Sequence, residues 1–558
     1  MGQSIGDRVE VLGILTCLGP VHVGGWDHTA EASLTIARDG TGRACLPGTS
    51  IAGALRAYLA GFDRFTGNCG RDLMNALFGH VVAERRDGSP SWIRVDDAHL
   101  IGDDVPTAVR DGVGIDRVSA SAAANFLYTR QVLPAGTRFA FRVVADTPTA
   151  AKVPDYPGGW RALVDDAVEA MVAGLTNGRI PIGAGRGRGF GRVELREVTV
   201  RRADLSDPVG LVSWLTGTAP ATSAPRTENT RLPDGRLRVT IAWRPAGPLL
   251  VRDSVSGTVV DTLPLTDTTA EGMVRLLLPG SSIRGAVRGY AERIVRTLQG
   301  QDAPAAFLDV LRHPPPGVDV LFGSAPTGNH GDRGGISRDA DDSADSGKGW
   351  RGVLSVTDCH SVGQITAEQW SEIVAVSPDA AHASGKDERG AREERNSKRD
   401  QARSTLLRGK LDGITNSFSL GVSDHVAIDR WTGGAGEHRL FSVLDPDTSV
   451  TWEPIHIEVD VTRLDRSAAS GPGSATLALP LLLLVLRDLR DGWLSLGYGG
   501  TRGRGQIDVT GVTFDGSGLS APWQSLAGHT LDSILADPPS EVIEAMTAWA
   551  DTFQEAAA

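Results

Sequence analysis

Two short loops in this 558-residue chain carry residue types suited to phosphate. Pro47-Gly48-Thr49-Ser50 and Pro279-Gly280-Ser281-Ser282 each precede a segment with helical periodicity. Free N–H groups and the positive dipole end at such a helix start favour an anion. The hydroxyls of Thr49, Ser50, Ser281 and Ser282 suit helix capping equally well, and both uses stay open. Arg56 and Arg288 recur at one equivalent place in the helices, with Arg284 in the turn before Arg288. Further on, glycine and arginine interleave, with Arg186 and Arg188 in IGAGRGRGFGRVEL and Arg502 and Arg504 in LGYGGTRGRGQIDV. Glycine lets a backbone approach a ligand closely, and arginine pairs with phosphate as a fork. No Gly-Lys-Ser/Thr follows, so these are not Walker A loops, and Arg192 and Leu195 stand where an RNA-binding box has stacking aromatics. Arginine–phosphate contact without base stacking is the expectation. A sharp turn feeding a strand is the plainer alternative.

The elements that must position these groups are written twice. LPGTSIAGALRAY at 46–58 matches LPGSSIRGAVRGY at 278–290 in nine of thirteen positions. Leu77-Phe78-Gly79 matches Leu321-Phe322-Gly323, Ile115-Asp116-Arg117 matches Ile428-Asp429-Arg430, and the Gly-rich segments close each copy. Four blocks in one order imply a tandem duplication. The second copy is longer by about 70 residues between Phe322 and Asp429, which places an insertion at about 324–420. The domains read as 1–215 and 236–515, joined by a Pro/Thr/Ser-rich linker at 216–235 and followed by a tail, 516–558, with one helix at Ser540–Ala556. Ile51, Ala54, Leu55, Tyr58 and Leu59 form one apolar helical stripe, repeated as Ile283, Ala286, Val287, Tyr290 and Ala291. Second helices are expected at Trp160–Leu175 and Leu479–Arg490, and closing strands at Gly191–Val200 and Gln506–Phe514. The order fits an α+β fold of two ferredoxin-like, split β-α-β domains.

Composition narrows the function. The longest apolar run, Ala475–Leu486, is shorter than the ~20 residues that span a bilayer, so no membrane partner is expected. Four scattered cysteines form no Cys-x-x-Cys pair, which suits a reduced, cytoplasmic protein. The net charge of −12 opposes general attraction to polyanions, but the 51 arginines against five lysines make placement the question. The densest charge run, Lys386–Lys410, sets Arg395, Arg399 and Arg403 on one helical face and reads as a solvated surface.

Taken in order, the four blocks resemble the RAMP (repeat-associated mysterious protein) superfamily, and more narrowly the backbone subunits of type III CRISPR effector complexes. A tandem fusion resembles the double backbone protein of III-D-like systems. The resemblance covers about 10–200 and 236–514 and implies two RNA-recognition-motif-like domains stacked on a CRISPR guide RNA beside other RAMP-type subunits. It implies β-hairpin thumbs near Val118–Val132 and Trp431–Leu444 that wedge between bases and kink a target RNA. It also makes Thr49, Ser50, Arg56, Arg117, Arg186, Arg188, Ser281, Ser282, Arg284, Arg288, Arg430, Arg502 and Arg504 candidate RNA contacts. Catalytic relatives carry a loop aspartate in a pattern like Asp-x-Pro-x-x-x-Asp. The second copy offers Asp261-Thr262-Leu263-Pro264-Leu265-Thr266-Asp267, with its proline one place later, so Asp261 is the candidate catalytic residue and Mg²⁺ ligand. The first copy has Ser33 there, with Asp27 and Glu31 as substitutes only if the loop folds differently, so it is expected to bind RNA without efficient cleavage. Two alternatives stand beside RNA-guided cleavage: a non-catalytic scaffold, and a guide-processing nuclease needing a histidine, for which no repeated or motif-placed histidine is read, His22 and His28 lying near the first loop.

Overall fold

The computed structural model describes residues 4–26, 32–62, 65, 70–82, 87–149, 156–223, 235–254, 260–326, 349–374, 409, 411, 418–468 and 475–555. The first half begins with strand β1 (Ile5–Cys17), then helix α1 (Gly48–Leu59) and short strands β2 (Ile93–Val95) and β3 (Ala98–Leu100). A long hairpin follows, β4 (Ala108–Ile115) and β5 (Ala122–Val132), and then β6 (Arg138–Pro148), α2 (Gly159–Thr176) and β7 (Val193–Asp204). Strand β1 lies between β6 and β7 and is antiparallel to both, with Val9 opposite Ala145 on one side and Arg202 on the other. Strands β2 and β3 extend the sheet beyond β6. Closing, first, third, second is the strand order of a split β-α-β domain. The apolar stripe of α1 explains its docking: Ile51, Leu55 and Leu59 are fully buried and Tyr58 packs at the core's edge.

Past an edge strand on β7, β8 (Ala221–Ser223), the second half repeats the plan. It runs β9 (Arg236–Pro245), β10 (Met273–Leu278), α3 (Gly280–Gln299), α4 (Phe307–Arg312), β11 (Leu354–Val356) and β12 (Cys359–His360). Its hairpin is β13 (Leu420–Ile428) and β14 (Ala435–Pro446), followed by β15 (Ile455–Asp460), α5 (Ala475–Arg490) and β16 (Ile507–Asp515). The sheet order is β11-β15-β9-β16, with Val239 between Ile457 and Phe514. Each half has its own core cluster, as the duplication requires.

Four boundaries differ from the sequence reading. The span 324–420 is not wholly inserted: β11 pairs with β15 in the central sheet, as β2 pairs with β6, and Leu354 and Val356 are buried. The extra length falls on both sides of this strand, and Lys386–Lys410 lies outside the described residues apart from Gly409. Each Ile-Asp-Arg block forms the hairpin tip, not the segment before the hairpin. Asp116 Oδ1 accepts the Val118 and Ser119 N–H groups, and Asp429 Oδ1 those of Trp431 and Thr432. Part of the expected linker is the edge strand β8. The tail holds two α-helices, Leu531–Ala536 and α6 (Ser540–Glu555). Trp549 and Phe553 of α6 bury against the second core, where α5 also lies. Covering by the sheet and α6 explains why the run Ala475–Leu486 is apolar around its circumference. No helix among the described residues is long and apolar enough to cross a membrane.

Candidate nucleic-acid interface

The two helix starts are built alike, but the hydroxyls do not cap them. Pro47 and Pro279 occupy the cap positions, with no side-chain cap bond. A carboxylate from a neighbouring strand turn substitutes: Asp97 Oδ1 accepts the Gly48 N–H at 2.7 Å, and Asp358 Oδ1 accepts the Gly280 N–H at 2.7 Å. Glycine is required at both places, since a Cβ would lie 2.3 Å from the Val95 or Val356 carbonyl oxygen. Thr49 and Ser281 are therefore exposed, and Ser50 and Ser282 half-buried. This geometry uncovers a fifth repeated block, Val95-x-Asp97-x-His99 and Val356-x-Asp358-x-His360, which could have been read from the sequence.

The arginines divide sharply. Arg56, Arg188, Arg430 and Arg502 are exposed; Arg56 donates to Asn75 Oδ1 at 2.8 Å and Arg188 to the Tyr128 hydroxyl at 2.7 Å. Arg288 instead pairs with Glu292 at 2.7 Å, and the other oxygen of Glu292 takes Arg117 of the first half at 2.7 Å. Arg284 donates to the Phe322 and Leu354 carbonyls and lies over the Phe322 ring, tying the Leu-Phe-Gly block to β11. Burial, then Arg288, Arg188 and Arg351, push its pKa down to about 9. Arg504 is buried against Asp445 and His425. Arg186 is half-buried and donates to the Gly183 carbonyl. Arg117, Arg284, Arg288 and Arg504 thus hold protein together instead of facing a ligand.

Both Gly-rich segments are tight turns. Arg186–Arg188 sits between left-handed Gly185 (φ 76°) and Gly189 (φ 93°), and Gly500–Arg502 between Gly499 (φ 79°) and Gly503 (φ 75°). The glycines therefore serve the sharp turn into a strand, and they leave Arg188 and Arg502 outside.

Asp261 and Ser33 occupy equivalent places. Thr262 bridges Val443 in parallel, as Leu34 bridges Arg130. Asp261 Oδ2 accepts the Ser442 N–H at 2.8 Å and its hydroxyl at 3.1 Å. Ser33 instead donates its hydroxyl to the Thr129 carbonyl at 2.9 Å. Asp27, Glu31 and His28 lie outside the described residues, and His22 is buried with Nδ1 against the Gln131 carbonyl at 2.7 Å. Asp267, the far end of the aspartate pattern, is not beside Asp261 in role: it is 2% exposed inside a charge network. Trp431 at the second hairpin tip is 96% exposed, an aromatic that reading for arginine alone passes over.

The network joins the halves. Arg110 of β4 reaches Asp267 at 2.7 Å and lies 3.9 Å from Asp358, while His360 bonds Asp267 at 3.0 Å and faces Glu453. Burial opposes the charge on Asp267, but His360 and Arg110 outweigh it and hold its pKa at about 2. Burial likewise opposes a charged His360, yet Asp267 and Glu453 raise its pKa. Beside this joint a cavity of about 350 Å³ is lined by Arg179, Arg186, Arg236, Arg351 and Arg463, against one carboxylate, Asp460. Glu458 takes Arg236 at 2.7 Å, and the other arginines leave the wall net positive, which suits a phosphate-bearing chain.

Two tandem α+β domains, each with a projecting hairpin and a helix start beside an arginine-bearing turn, define an RNA-recognition-motif-like class. The profile of the RAMP superfamily matches residues 14–194 and 268–508, and the chain belongs to that family, which includes CRISPR-associated RNA-binding proteins. No curated protein matches the chain.

Proposed function

We propose that this chain is a guide-RNA-binding backbone subunit of a type III CRISPR interference complex, acting in the cytoplasm, and that its second half cleaves target RNA. The observation that carries this reading is the difference between Asp261 and Ser33 at one repeated position. Exposed Arg188 and Arg502 supply phosphate contacts on each half, and the hairpins supply the wedges. Val118, Leu127, Trp431 and Leu440 present exposed apolar surface on those hairpins, the chemistry that intercalating side chains use to unstack bases. A target kinked there can align its ribose 2′-hydroxyl for in-line attack on the adjacent phosphate, closing a 2′,3′-cyclic phosphate as the opposite bond to the 5′-oxygen breaks and that oxygen leaves as a 5′-hydroxyl, with the gain coming from orientation.

Asp261 fits the manner in which Mg²⁺ is held, through one carboxylate together with phosphate oxygens and water. Its Oδ1 makes no hydrogen bond among the described residues, while Ser442 fixes Oδ2. Bound there, the ion would neutralise charge developing on the scissile phosphate. The chain's own part is to orient the carboxylate through Ser442 and to bend the strand. The alternative is a non-catalytic scaffold of the same complex, a character that uncharged Ser33 at the place of Asp261 already gives the first half. Asp261→Ala in the reconstituted complex separates the two. Loss of cleavage with target binding retained supports the nuclease; unchanged products at every position support the scaffold.

A further inference from the structure

The joint between the halves sets an outgoing face against an incoming one. The outgoing face of the first half is the β4–β5 hairpin and the Arg186–Arg188 turn; the incoming face of the second is α3, α4, β11 and the Asp267 loop. Among the contacts that hold it are Arg110 with Asp267 at 2.7 Å, Arg117 with Glu292 at 2.7 Å, the Ala270 N–H donating to the Ala135 carbonyl at 2.9 Å, and the Phe126 and Phe307 rings with centroids 4.7 Å apart. The duplication presents both faces a second time, one at each end of the chain.

Strand register fixes the equivalences. Arg110 opposes Arg130 as Ser423 opposes Val443, and Val113 opposes Leu127 as Val426 opposes Leu440. The outgoing face of the second half therefore has Ser423 for Arg110, Arg430 for Arg117 and Arg439 for Phe126. On the incoming face of the first half, His99 opposes Cys45 as His360 opposes Leu277, so Asp39, Asp97 and His99 repeat Asp267, Asp358 and His360. His99 again reaches its aspartate, Asp39, at 3.3 Å. Glu292 becomes Ala60. Asp97 and His99 are exposed, whereas Asp358 and His360, covered by the first half, are buried.

A second copy stacked in the same way would bring Ser423 to the Asp39–Asp97 pair and leave Arg430 facing Ala60 without its carboxylate. Arg439 would replace an aromatic contact. We infer that the incoming face of the first half docks a different protein, one whose hairpin carries an arginine where Arg110 stands. Self-stacking is disfavoured by unmatched charge, which is how interfaces exclude wrong partners. The inference deepens the proposed place among neighbouring subunits but rests on the duplication, not on RNA chemistry.

The test rebuilds the missing contacts in the full chain. A Ser423→Arg variant is mixed with an Ala60→Glu variant, and mass is followed by light scattering across concentration and salt. Wild type is expected to stay monomeric, and the mixture to associate roughly tenfold more tightly or better, with the gain lost at high salt. Adding Asp39→Asn and Asp97→Asn to the Ala60→Glu chain should abolish it. Circular dichroism confirms that each variant is folded, and a chain that unfolds is replaced by Ser423→Lys. Wild-type self-association that Asp39→Asn removes overturns the inference, as does a folded mixture no tighter than wild type. Either result is independent of whether Asp261→Ala stops cleavage.

Discussion

Arg110 and Asp267 meet at 2.7 Å across the boundary between the halves, with side chains 6% and 1% exposed. Neither charge has water to fall back on, so the pair matters most when one partner is removed. Arg110→Ala leaves Asp267 with His360 and the more distant Arg275, and Asp358 without its nearby cation. The expected loss is about 3–5 kcal/mol of stability. Arg110→Met, which fills the space, should still cost several kcal/mol unless Asp267→Asn accompanies it. Denaturant unfolding of the single and double variants measures both, and a loss below 1 kcal/mol for Arg110→Ala would remove the network from the joint.

The same pair predicts an acid limb in the stability profile. The folded pKa of Asp267 is held at about 2, below its ordinary 3.8, so its contribution is complete above about pH 4 and disappears as pH falls through 2. The size is about 2 kcal/mol from that shift. His360 has the opposite sign: its raised pKa gives stability present below about pH 6.5 and lost as pH rises through the folded value. Unfolding midpoints measured from pH 2 to 9 should show both limbs in wild type. Asp267→Asn should flatten the acid one.

Much of this architecture was legible because repetition made it so. The stripe at Ile51, Leu55 and Leu59 and the glycine spacing around Arg188 gave helices and turns in place, and the aspartate pattern implied by the family resemblance matched Ser33 with Asp261. The Val-x-Asp-x-His block escaped because only three positions recur and the extra residues flank it on both sides. Arg110, Phe126 and Glu292 escaped for a different reason. Their joint occurs once in the chain, so its residues need not repeat, and a search for repeats is blind to them. Arginine type also says nothing of burial: Arg504 takes the place of Phe190 and turns inward to Asp445, while Arg502 two residues earlier points out.

That division of arginines predicts two phenotypes. Arg188→Ala and Arg502→Ala should weaken RNA binding with little change in stability, each lowering the salt slope of binding by about 0.7 for one single-strand phosphate lost. Arg284→Ala and Arg504→Ala should lower the unfolding midpoint, since their partners are the Phe322 carbonyl and Asp445. Filter binding across salt concentrations, run beside thermal unfolding, separates the classes. A stability loss in Arg188→Ala as large as in Arg284→Ala would undo the distinction.

At the hairpin tip, Trp431 is 96% exposed and its backbone N–H is held by Asp429 Oδ1 at 2.8 Å, so the ring is presented on a fixed turn. An exposed ring of this size adds little to folding, and Trp431→Ala should leave the unfolding free energy within about 0.5 kcal/mol of wild type. If the ring stacks on a displaced base, the same change should cost about 1–3 kcal/mol of RNA affinity, with the salt slope unchanged because no phosphate contact is lost. Trp431→Phe should recover part of the affinity and Trp431→Leu less, the order expected when a flat π-face does the work. Titration of a fluorescent single-stranded RNA against the four proteins reads this directly, and intrinsic tryptophan quenching on binding provides a second signal. Equal affinity for wild type and Trp431→Ala would mean that the second hairpin meets RNA through its arginines alone.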